Sequence, residues 1–114
     1  MRKDDAIRMD KRAALSAIVS FKAALESKGI RISKLILYGS YATGTFKEGS
    51  DIDIVVVSDD FAEKGYWERI GILSDAIYEV FEPIEAVAMT TDEWARGDSS
   101  IAEYSKNGEV VFAA

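Results

Sequence analysis

The sequence predicts a single α+β domain, a mixed α/β arrangement in which helices pack on a small mixed β-sheet. Amphipathic stretches with helical spacing and short β-branched runs occur in the same chain. They do not alternate strictly, as an all-parallel sheet would require. The chain has 114 residues, of which 48% are apolar and 30% charged. This size and balance suit one globular domain over residues 1–114.

The first predicted element is an amphipathic helix over residues 10–28. Its apolar positions recur three and four residues apart, and Gly29 is well placed to end it. One face is expected to pack on the core, with a lysine contributing only its methylene groups. The positions on this face are Ala14, Leu15, Ile18, Val19, Lys22 and Leu25.

Two strands joined by a loop are expected next. Residues 34–38 are a short apolar run closed by Gly39, which is typical of a buried strand. Residues 39–50 predict one helical turn ending at Gly44, followed by a loop. Residues 51–58 form the clearest strand, because their centre is entirely β-branched.

The next predicted elements are a helix over residues 66–81 and a strand over residues 84–89. Pro83 fixes the break between them, since proline cannot continue the helix. The helix should turn one apolar face to the sheet. That face consists of Trp67, Ile70, Leu73, Ala76, Ile77 and Val80.

The remaining residues predict a helix start, a last helix and a final strand. Residues 90–93 have the Thr-x-x-Glu spacing of a capping box, which marks the start of a helix. Ile101 and Tyr104 are expected on the last helix, with Gly108 ending it. Residues 110–112 form a short apolar run that can add an edge strand, to this sheet or to that of another copy.

The residue types that are missing limit the possible chemistry. The chain contains no histidine and no cysteine. Nucleophile systems that depend on histidine are therefore excluded, as are imidazole and thiolate metal sites. Any metal site must use oxygen ligands, which favours Mg²⁺, Mn²⁺ or Ca²⁺. The absence of disulfides also fits a cytoplasmic location.

The charge and apolar pattern argue against nucleic-acid and membrane partners. The formal net charge is −6, which is a poor match for a phosphate backbone, so strong nucleic-acid binding is not expected. No apolar run exceeds five residues, so no membrane span is expected. The charged first residues are followed by no apolar stretch of the kind that a secretory signal needs.

Two aspartates at the start of a predicted strand are the first candidate for chemistry. Side chains two residues apart on a strand point to the same face, so Asp51 and Asp53 should lie side by side, with Cα atoms about 6.6 Å apart. Two carboxylates at this spacing can converge on a pair of divalent metals. An Asp-x-Asp pattern alone is more often a solvated strand entry, so further signals are needed.

Three further residues point to the same place. Gly39 and Ser40 follow the preceding strand, and a glycine beside backbone N–H groups at a helical turn suits a phosphate. Glu85 lies on the strand after Pro83. If that strand is beside the one carrying Asp51, Glu85 can supply a third carboxylate that ligates a metal or takes a proton. Each signal alone has an ordinary explanation as a turn or a solvated position.

The combined pattern resembles a known family. Gly39-Ser40, ten residues and then Asp51-Ile-Asp53 is similar to the signature of the polymerase-β-type nucleotidyltransferase superfamily, and most of all to its minimal nucleotidyltransferases. The resemblance covers roughly residues 31–90, and Ala42 and Gly44 also fall where the family has them. It implies a nucleotidyltransferase fold.

The resemblance also implies roles for individual residues. Gly39 and Ser40 would hold the triphosphate of ATP or another nucleoside triphosphate. Asp51 and Asp53 would bind two Mg²⁺ ions, with Mn²⁺ as an alternative, and Glu85 would stand where the family usually has a third aspartate. The reaction would transfer a nucleoside monophosphate to a hydroxyl and release pyrophosphate. Nucleotide binding would therefore involve all four of the glycine, serine and aspartate positions.

Two positions depart from the family pattern. Thr43 stands where the family often has an arginine, which removes a positive charge that could bind phosphate. Lys47 is a possible substitute, although a solvated loop lysine is the simpler interpretation. Glu85 is one methylene longer than the usual aspartate, which can loosen the placement of its carboxylate.

The resemblance further implies a partner protein. Minimal members are typically paired with a small helical HEPN-domain toxin, on which the antitoxin places AMP. The leading hypothesis is therefore an antitoxin that adenylylates a HEPN-type partner (AMPylation). Two alternatives stay open: a non-catalytic module that binds nucleotide or partner, and a nucleotidyltransferase acting on a small molecule such as an aminoglycoside. Oligomerisation is also possible.

Several other side chains have two possible interpretations. Trp67 and Trp94 could stack on a base, but packing in a core or an interface is the more ordinary role of helix aromatics. Tyr41 could border the nucleotide site or simply cover the turn. Lys11 belongs to a cluster of basic residues near the N-terminus that is best interpreted as a solvated helix face, because acidic residues are interleaved with it.

Overall fold

A computed structural model describes residues 3–97, 105 and 107–114, and for residues 3–10 it describes the backbone alone. The helices are α1 (Lys3–Ser27), α2 (Ser40–Thr43), α3 (Tyr66–Val80) and α4 (Thr91–Arg96), with a 3-10 turn at Asp59–Phe61. The strands are β1 (Lys34–Tyr38), β2 (Ile52–Val57), β3 (Ile84–Met89) and β4 (Glu109–Ala113). This mixture of elements confirms the predicted α+β class.

The four strands form one mixed sheet in the order β3-β2-β1-β4. β2 runs parallel to β3, whereas β1 is antiparallel to both β2 and β4. β4 therefore lies at one edge of the sheet, as the sequence predicted. β2 lies between β1 and β3, so its residues from Asp53 to Val57 each have a neighbour on both strands.

Helix α1 covers one face of the sheet with a slightly different stripe from the predicted one. Ala14, Ile18 and Leu25 are buried as expected, and Phe21 is fully buried with them. Val19 was predicted to face the core but is 67% exposed, because it lies one residue off the line that Ile18 and Phe21 follow. The helix also begins at Lys3 rather than near residue 10, since the apolar repeat marks only the part that packs on the core.

Lys22 was predicted to contribute only its methylene groups, but the structure shows contacts of its charged end. The Lys22 ammonium group lies 4.3 Å from the centre of the Phe112 ring on β4 and donates to Glu26. Gly29 follows the helix with a φ of 87°, a conformation that glycine adopts without strain.

Helix α3 packs on the same side of the sheet. Leu73 and Ala76 are buried and Ile77 is half-buried, as predicted. Trp67 was predicted on this face but is 78% exposed. Residues three, four or seven apart share a face of a helix, but Trp67 is six residues from Leu73. It therefore lies on the solvent side of the helix, at the start of another line of residues. The helix ends at Val80, and Phe81 follows with a φ of 58°.

The other face of the sheet has a smaller core. Its buried members are Ile36, Tyr38, Val55, Val57 and Met89. Trp94 of α4 packs against them together with Val87, so it serves in packing, as the more ordinary interpretation held. Asp53 and Glu85 point to this face too, because they alternate along their strands with the residues that face α1 and α3.

The capping box predicted at residues 90–93 is present. The Thr90 hydroxyl accepts a hydrogen bond from the Glu93 backbone N–H (3.1 Å), and the Glu93 carboxylate accepts one from the Thr90 N–H (2.7 Å). The Arg69 guanidinium also donates to Glu93 (2.7 Å). The cap therefore ties α4 to α3 as well as starting the helix.

Thr90→Ala is expected to lower the free energy of unfolding by about 1 kcal/mol, because the first turn of α4 loses its side-chain acceptor. Thr91→Ala is the matched control, since its exposed side chain takes no part in the cap, and its effect should stay within about 0.5 kcal/mol. Urea unfolding of both variants measures the difference. Equal effects would show that the cap contributes nothing.

Two residues of the predicted last helix, Ile101 and Tyr104, lie outside the described residues. The Gly108 N–H donates to the Ser105 carbonyl (2.8 Å), and β4 begins at Glu109. Among the described residues, no helix combines the length and apolar character needed to cross a bilayer.

Candidate functional site

The sheet brings Asp53 and Glu85 together. Asp53 is the second residue of β2, and its register partners are Tyr38 on β1 and Glu85 on β3. The condition set by the sequence, that the strand of Glu85 lie beside that of the aspartates, is therefore met. Asp51 precedes β2 by one residue and is exposed, so it lies at the entry to the strand rather than within it.

The environment of Asp53 raises the cost of ionising its carboxylate. Burial raises the pKa of Asp53 to about 6, with further contributions from a hydrogen bond to the Glu85 side chain and from repulsion by Glu85 and Asp51. Among the ion pairs of the described residues, none joins a lysine or arginine to any of the three acids. A bound cation would relieve this repulsion.

The cluster fits a divalent cation by its chemistry but is not a closed metal site. All of its donors are carboxylate oxygens, which Mg²⁺ and Mn²⁺ accept. Among the described residues, however, no three His, Cys, Asp or Glu side chains are grouped closely enough to hold one metal ion. The arrangement therefore offers two pairs, Asp53 with Glu85 and Asp51 with Asp53, which share Asp53.

Gly39 lies directly against Asp53. It links the end of β1 to the start of α2 with φ 71° and ψ −152°, a region that is accessible almost only to glycine. A Cβ atom added to it would overlap a carboxylate oxygen of Asp53 and lie 3.1 Å from its Cγ atom. Position 39 therefore requires glycine for two reasons: its backbone conformation, and the lack of space for a side chain beside the carboxylate.

Helix α2 begins beside the cluster without a side-chain cap. Gly39 is its N-cap residue, and the Ala42 and Thr43 N–H groups both donate to the Gly39 carbonyl (3.1 Å). Ser40 is half-buried at the first position of the helix, and within the described part of the chain its hydroxyl has no assigned partner. Gly44 ends the turn with φ 79°, as the sequence predicted.

Thr43, which stands where the family often has an arginine, uses its hydroxyl within the helical turn. The Thr43 hydroxyl donates back to the carbonyls of Gly39 (3.3 Å) and Ser40 (3.4 Å) and pairs with the Thr45 hydroxyl (2.8 Å). Lys47 is exposed in the following loop. Thr43 therefore closes the turn locally where an arginine could extend.

Three contacts on the other side of α2 involve Tyr41 and Lys11. Tyr41 stacks on Phe46 with ring centres 4.5 Å apart, which favours the interpretation that it covers the turn. The Lys11 ammonium donates to the Tyr41 carbonyl (2.8 Å) and pairs with Glu109 (3.2 Å). Lys11 is thus not a purely solvated residue, and no local sequence signal revealed this contact across thirty positions.

The raised pKa of Asp53 predicts a pH-dependent stability. Because its folded-state pKa of about 6 exceeds the ordinary 3.8, the folded state binds this proton more tightly than the unfolded state. The associated stability is fully present below pH 3.8 and is lost as pH rises through 6. Linkage gives about 3 kcal/mol, which solvent screening of this partly exposed group reduces to about 1 kcal/mol.

Asp53→Asn is therefore expected to stabilise the metal-free protein at pH 7.5 by about 1 kcal/mol. The gain should shrink toward pH 4, and Glu48→Gln in the exposed loop serves as the control. Urea unfolding at several pH values in EDTA measures both variants. An Asp53→Asn variant that is less stable than the wild type at pH 7.5 would contradict the inference that the ionised Asp53 carboxylate destabilises the folded chain.

Comparison with known proteins identifies a family and a relative of this chain. The family model described as "Nucleotidyltransferase domain" matches residues 18–97, which include every residue of the cluster. A Methanocaldococcus jannaschii protein, named as a candidate protein adenylyltransferase, is 57% identical over 44 residues. That match covers 38% of this chain and 44% of the relative, so this chain spans less than half the length of that protein.

Two solved structures resemble the fold. A crystal structure of a candidate nucleotidyltransferase from Sulfolobus solfataricus has a TM-score of 0.73 and 18% identity, covering 94% of this chain and 86% of that one. A crystal structure described as a toxin–antitoxin with AMP-PNP has a TM-score of 0.59 and 20% identity, covering 88% and 73%. At these identities the likeness shows the fold alone.

Proposed function

This chain belongs to the nucleotidyltransferase domain family, and we propose that it moves AMP from ATP to a hydroxyl group of a partner protein. The observation that carries the proposal is the backbone of Gly39 held against the carboxylate of Asp53. This contact puts the start of an uncapped helical turn, which suits phosphate, next to acids that suit a divalent cation.

In the proposed reaction, the acceptor oxygen forms a bond to the α-phosphorus of ATP. The bond from that phosphorus to the bridging oxygen breaks, and pyrophosphate leaves. Bound Mg²⁺ would supply a positive charge that polarises the phosphate. Two such ions would be held by the two carboxylate pairs, Asp51 with Asp53 and Asp53 with Glu85.

The chain's own groups have separate tasks in this proposal. Gly39 and Ser40 bind the triphosphate through backbone N–H groups and the serine hydroxyl. Glu85, the third carboxylate of the cluster and the β3 neighbour of Asp53, accepts the proton of the acceptor hydroxyl. Thr43 adds no charge to the phosphate site.

The proposed acceptor is a helical toxin of the HEPN type, with this chain as its antitoxin in a reducing cytoplasm. The name of the M. jannaschii relative supports a protein as acceptor and AMP as the transferred group. The fold likeness to a toxin–antitoxin structure with AMP-PNP supports the pairing and an adenine nucleotide.

The test is to search the neighbouring open reading frames for a HEPN-type protein, to co-express it with this chain, and to incubate the two with α-labelled ATP. Label is expected on the partner with Mg²⁺ and not with EDTA, and the partner's toxicity should be neutralised. The matched variant is Asp51→Asn with Asp53→Asn. If that variant neutralises the partner equally well and no label is transferred, the chain acts as a non-catalytic binding module.

A small-molecule acceptor is tested in the same assay. An acidic domain attracts a cationic acceptor such as an aminoglycoside. Pyrophosphate release from ATP with an aminoglycoside panel, but not with the partner protein, would assign the chain to small-molecule transfer instead.

A further inference from the structure

The solvent side of helix α3 is aromatic where a surface helix is usually charged. Trp67 and Tyr78 lie on one line along it, 78% and 81% exposed, and Phe81 at its end is 86% exposed. The residues between them on this line, Gly71 and Ser74, are small and exposed. We call Trp67, Gly71, Ser74, Tyr78 and Phe81 the α3 aromatic face.

The area of this face is large for a domain of this size. Tyr66 extends it at the start of the helix, 70% exposed and packed edge-on against Trp67 with ring centres 5.0 Å apart. Four largely exposed aromatic side chains present roughly 500 Å². Patches of this size on soluble proteins usually mark binding surfaces. A standard interface takes about 800 Å² from each partner, so this face can form its apolar centre.

No described part of the chain buries the Phe81 ring, which is 86% exposed. Its φ of 58° is the left-handed conformation in which helices usually end on glycine or asparagine. A bulky residue there costs about 1 kcal/mol, and the exposed ring gains no packing in return. It instead borders an open groove of about 310 Å³ with Ile77, Tyr78 and Glu82. A ring that packs against a partner would offset its cost.

The charges beside the face indicate what kind of partner fits. Glu68, Asp75 and Glu79 follow one flank of the helix, since they are seven and four residues apart. Glu79 pairs with Lys28 (2.7 Å), whereas the other two form no salt bridge among the described residues. Glu82 adds a fourth acid at the groove. The opposite flank is apolar, with the half-buried Ile70 and Ile77.

We propose that the α3 aromatic face binds a helical segment of a partner protein whose apolar side is bordered by lysine or arginine. Gly71 and Ser74 allow a second helix to approach closely between the two aromatic ends. A second copy of this chain fits less well, because it would set acids against acids at a net charge of −6. The inference does not depend on the transfer reaction.

The test uses two fluorescently labelled helical peptides of about 18 residues, one built from leucine and lysine and one from leucine and glutamate. Binding to the full chain is followed by fluorescence anisotropy, without nucleotide or metal. The lysine peptide is expected to bind at least about tenfold more tightly than the glutamate peptide. Trp67→Ala with Tyr78→Ala should weaken its binding by about tenfold or more.

The control is Val19→Ala, which removes an exposed apolar side chain from α1 and should leave binding unchanged. Trp67→Phe with Tyr78→Phe keeps the aromatic area and should bind within about threefold of the wild type. Glu68→Lys with Asp75→Lys should reverse the preference between the peptides. Circular dichroism verifies that each variant folds.

Three outcomes would overturn the proposal. The first is equal binding of both peptides, and the second is unchanged binding by the Trp67→Ala and Tyr78→Ala variant. The third is concentration-dependent dimerisation of the chain that the same variant abolishes, since a second copy would then occupy the face. Because binding is measured without ATP, failure of the transfer reaction would leave a positive result standing.

Discussion

Asp53→Asn is expected to lower the rate of AMP transfer by about 10³-fold or more. Asp53 is shared by both carboxylate pairs, with Asp51 on one side and Glu85 on the other, so its loss removes a ligand from each. The amide keeps the shape of the side chain but neither its charge nor its ability to accept a proton. The initial rate of labelled-AMP transfer to the partner measures the effect.

The same substitution separates activity from folding. It should stabilise the metal-free chain, so a loss of rate cannot be ascribed to unfolding. Glu48→Gln removes a negative charge from the exposed loop between α2 and β2 and should transfer AMP at the wild-type rate. A rate for Asp53→Asn within about tenfold of the wild type would show that this carboxylate is not at the reaction centre.

Gly39→Ala is expected to destabilise the chain by about 2 kcal/mol and to lower the transfer rate by about 10²-fold. The destabilisation arises because alanine is strained at φ 71° and ψ −152°. The rate falls because the new Cβ atom must displace the Asp53 carboxylate. Urea unfolding and the transfer assay, performed below the unfolding transition, measure the two effects separately.

Gly44→Ala is the matched control for this prediction. Gly44 also has a positive φ, 79°, but a Cβ atom added there meets nothing within 4 Å. It should cost about 1 kcal/mol in stability and leave the rate nearly unchanged. If both glycine variants lose activity equally, the contact between Gly39 and Asp53 is not what sets the rate.

Local signals in the sequence predicted most of the elements. The bounds of β1 and β3 agree with the expected residues 34–38 and 84–89, and the helical turn after Gly39 ends at Gly44 as expected. These elements were predictable because proline, glycine and β-branched residues act on their own neighbourhood. The errors at Val19 and Trp67 arose from assigning these two apolar residues to the core face, although surface residues can be apolar too.

For the candidate site, the sequence predicted which residues take part but not how they are arranged. The sequence named the acids and the glycine, but the pairing of Asp53 with Glu85 depends on β2 lying parallel to β3 in one register. Helix α3 lies between these two strands in the chain, so no local pattern places Asp53 beside Glu85. The raised pKa of Asp53 and the reach of Lys11 to Tyr41 likewise follow from burial and packing in the folded chain.

Intact mass spectrometry of the partner protein tests the central claim most directly. The partner is incubated with this chain, ATP and Mg²⁺, and its mass is compared with that of a sample containing the Asp53→Asn variant. The proposed function predicts a mass increase of one or more AMP units with the wild-type chain and none with the variant. An unchanged partner mass in both samples, with the complex formed and ATP intact, would contradict it.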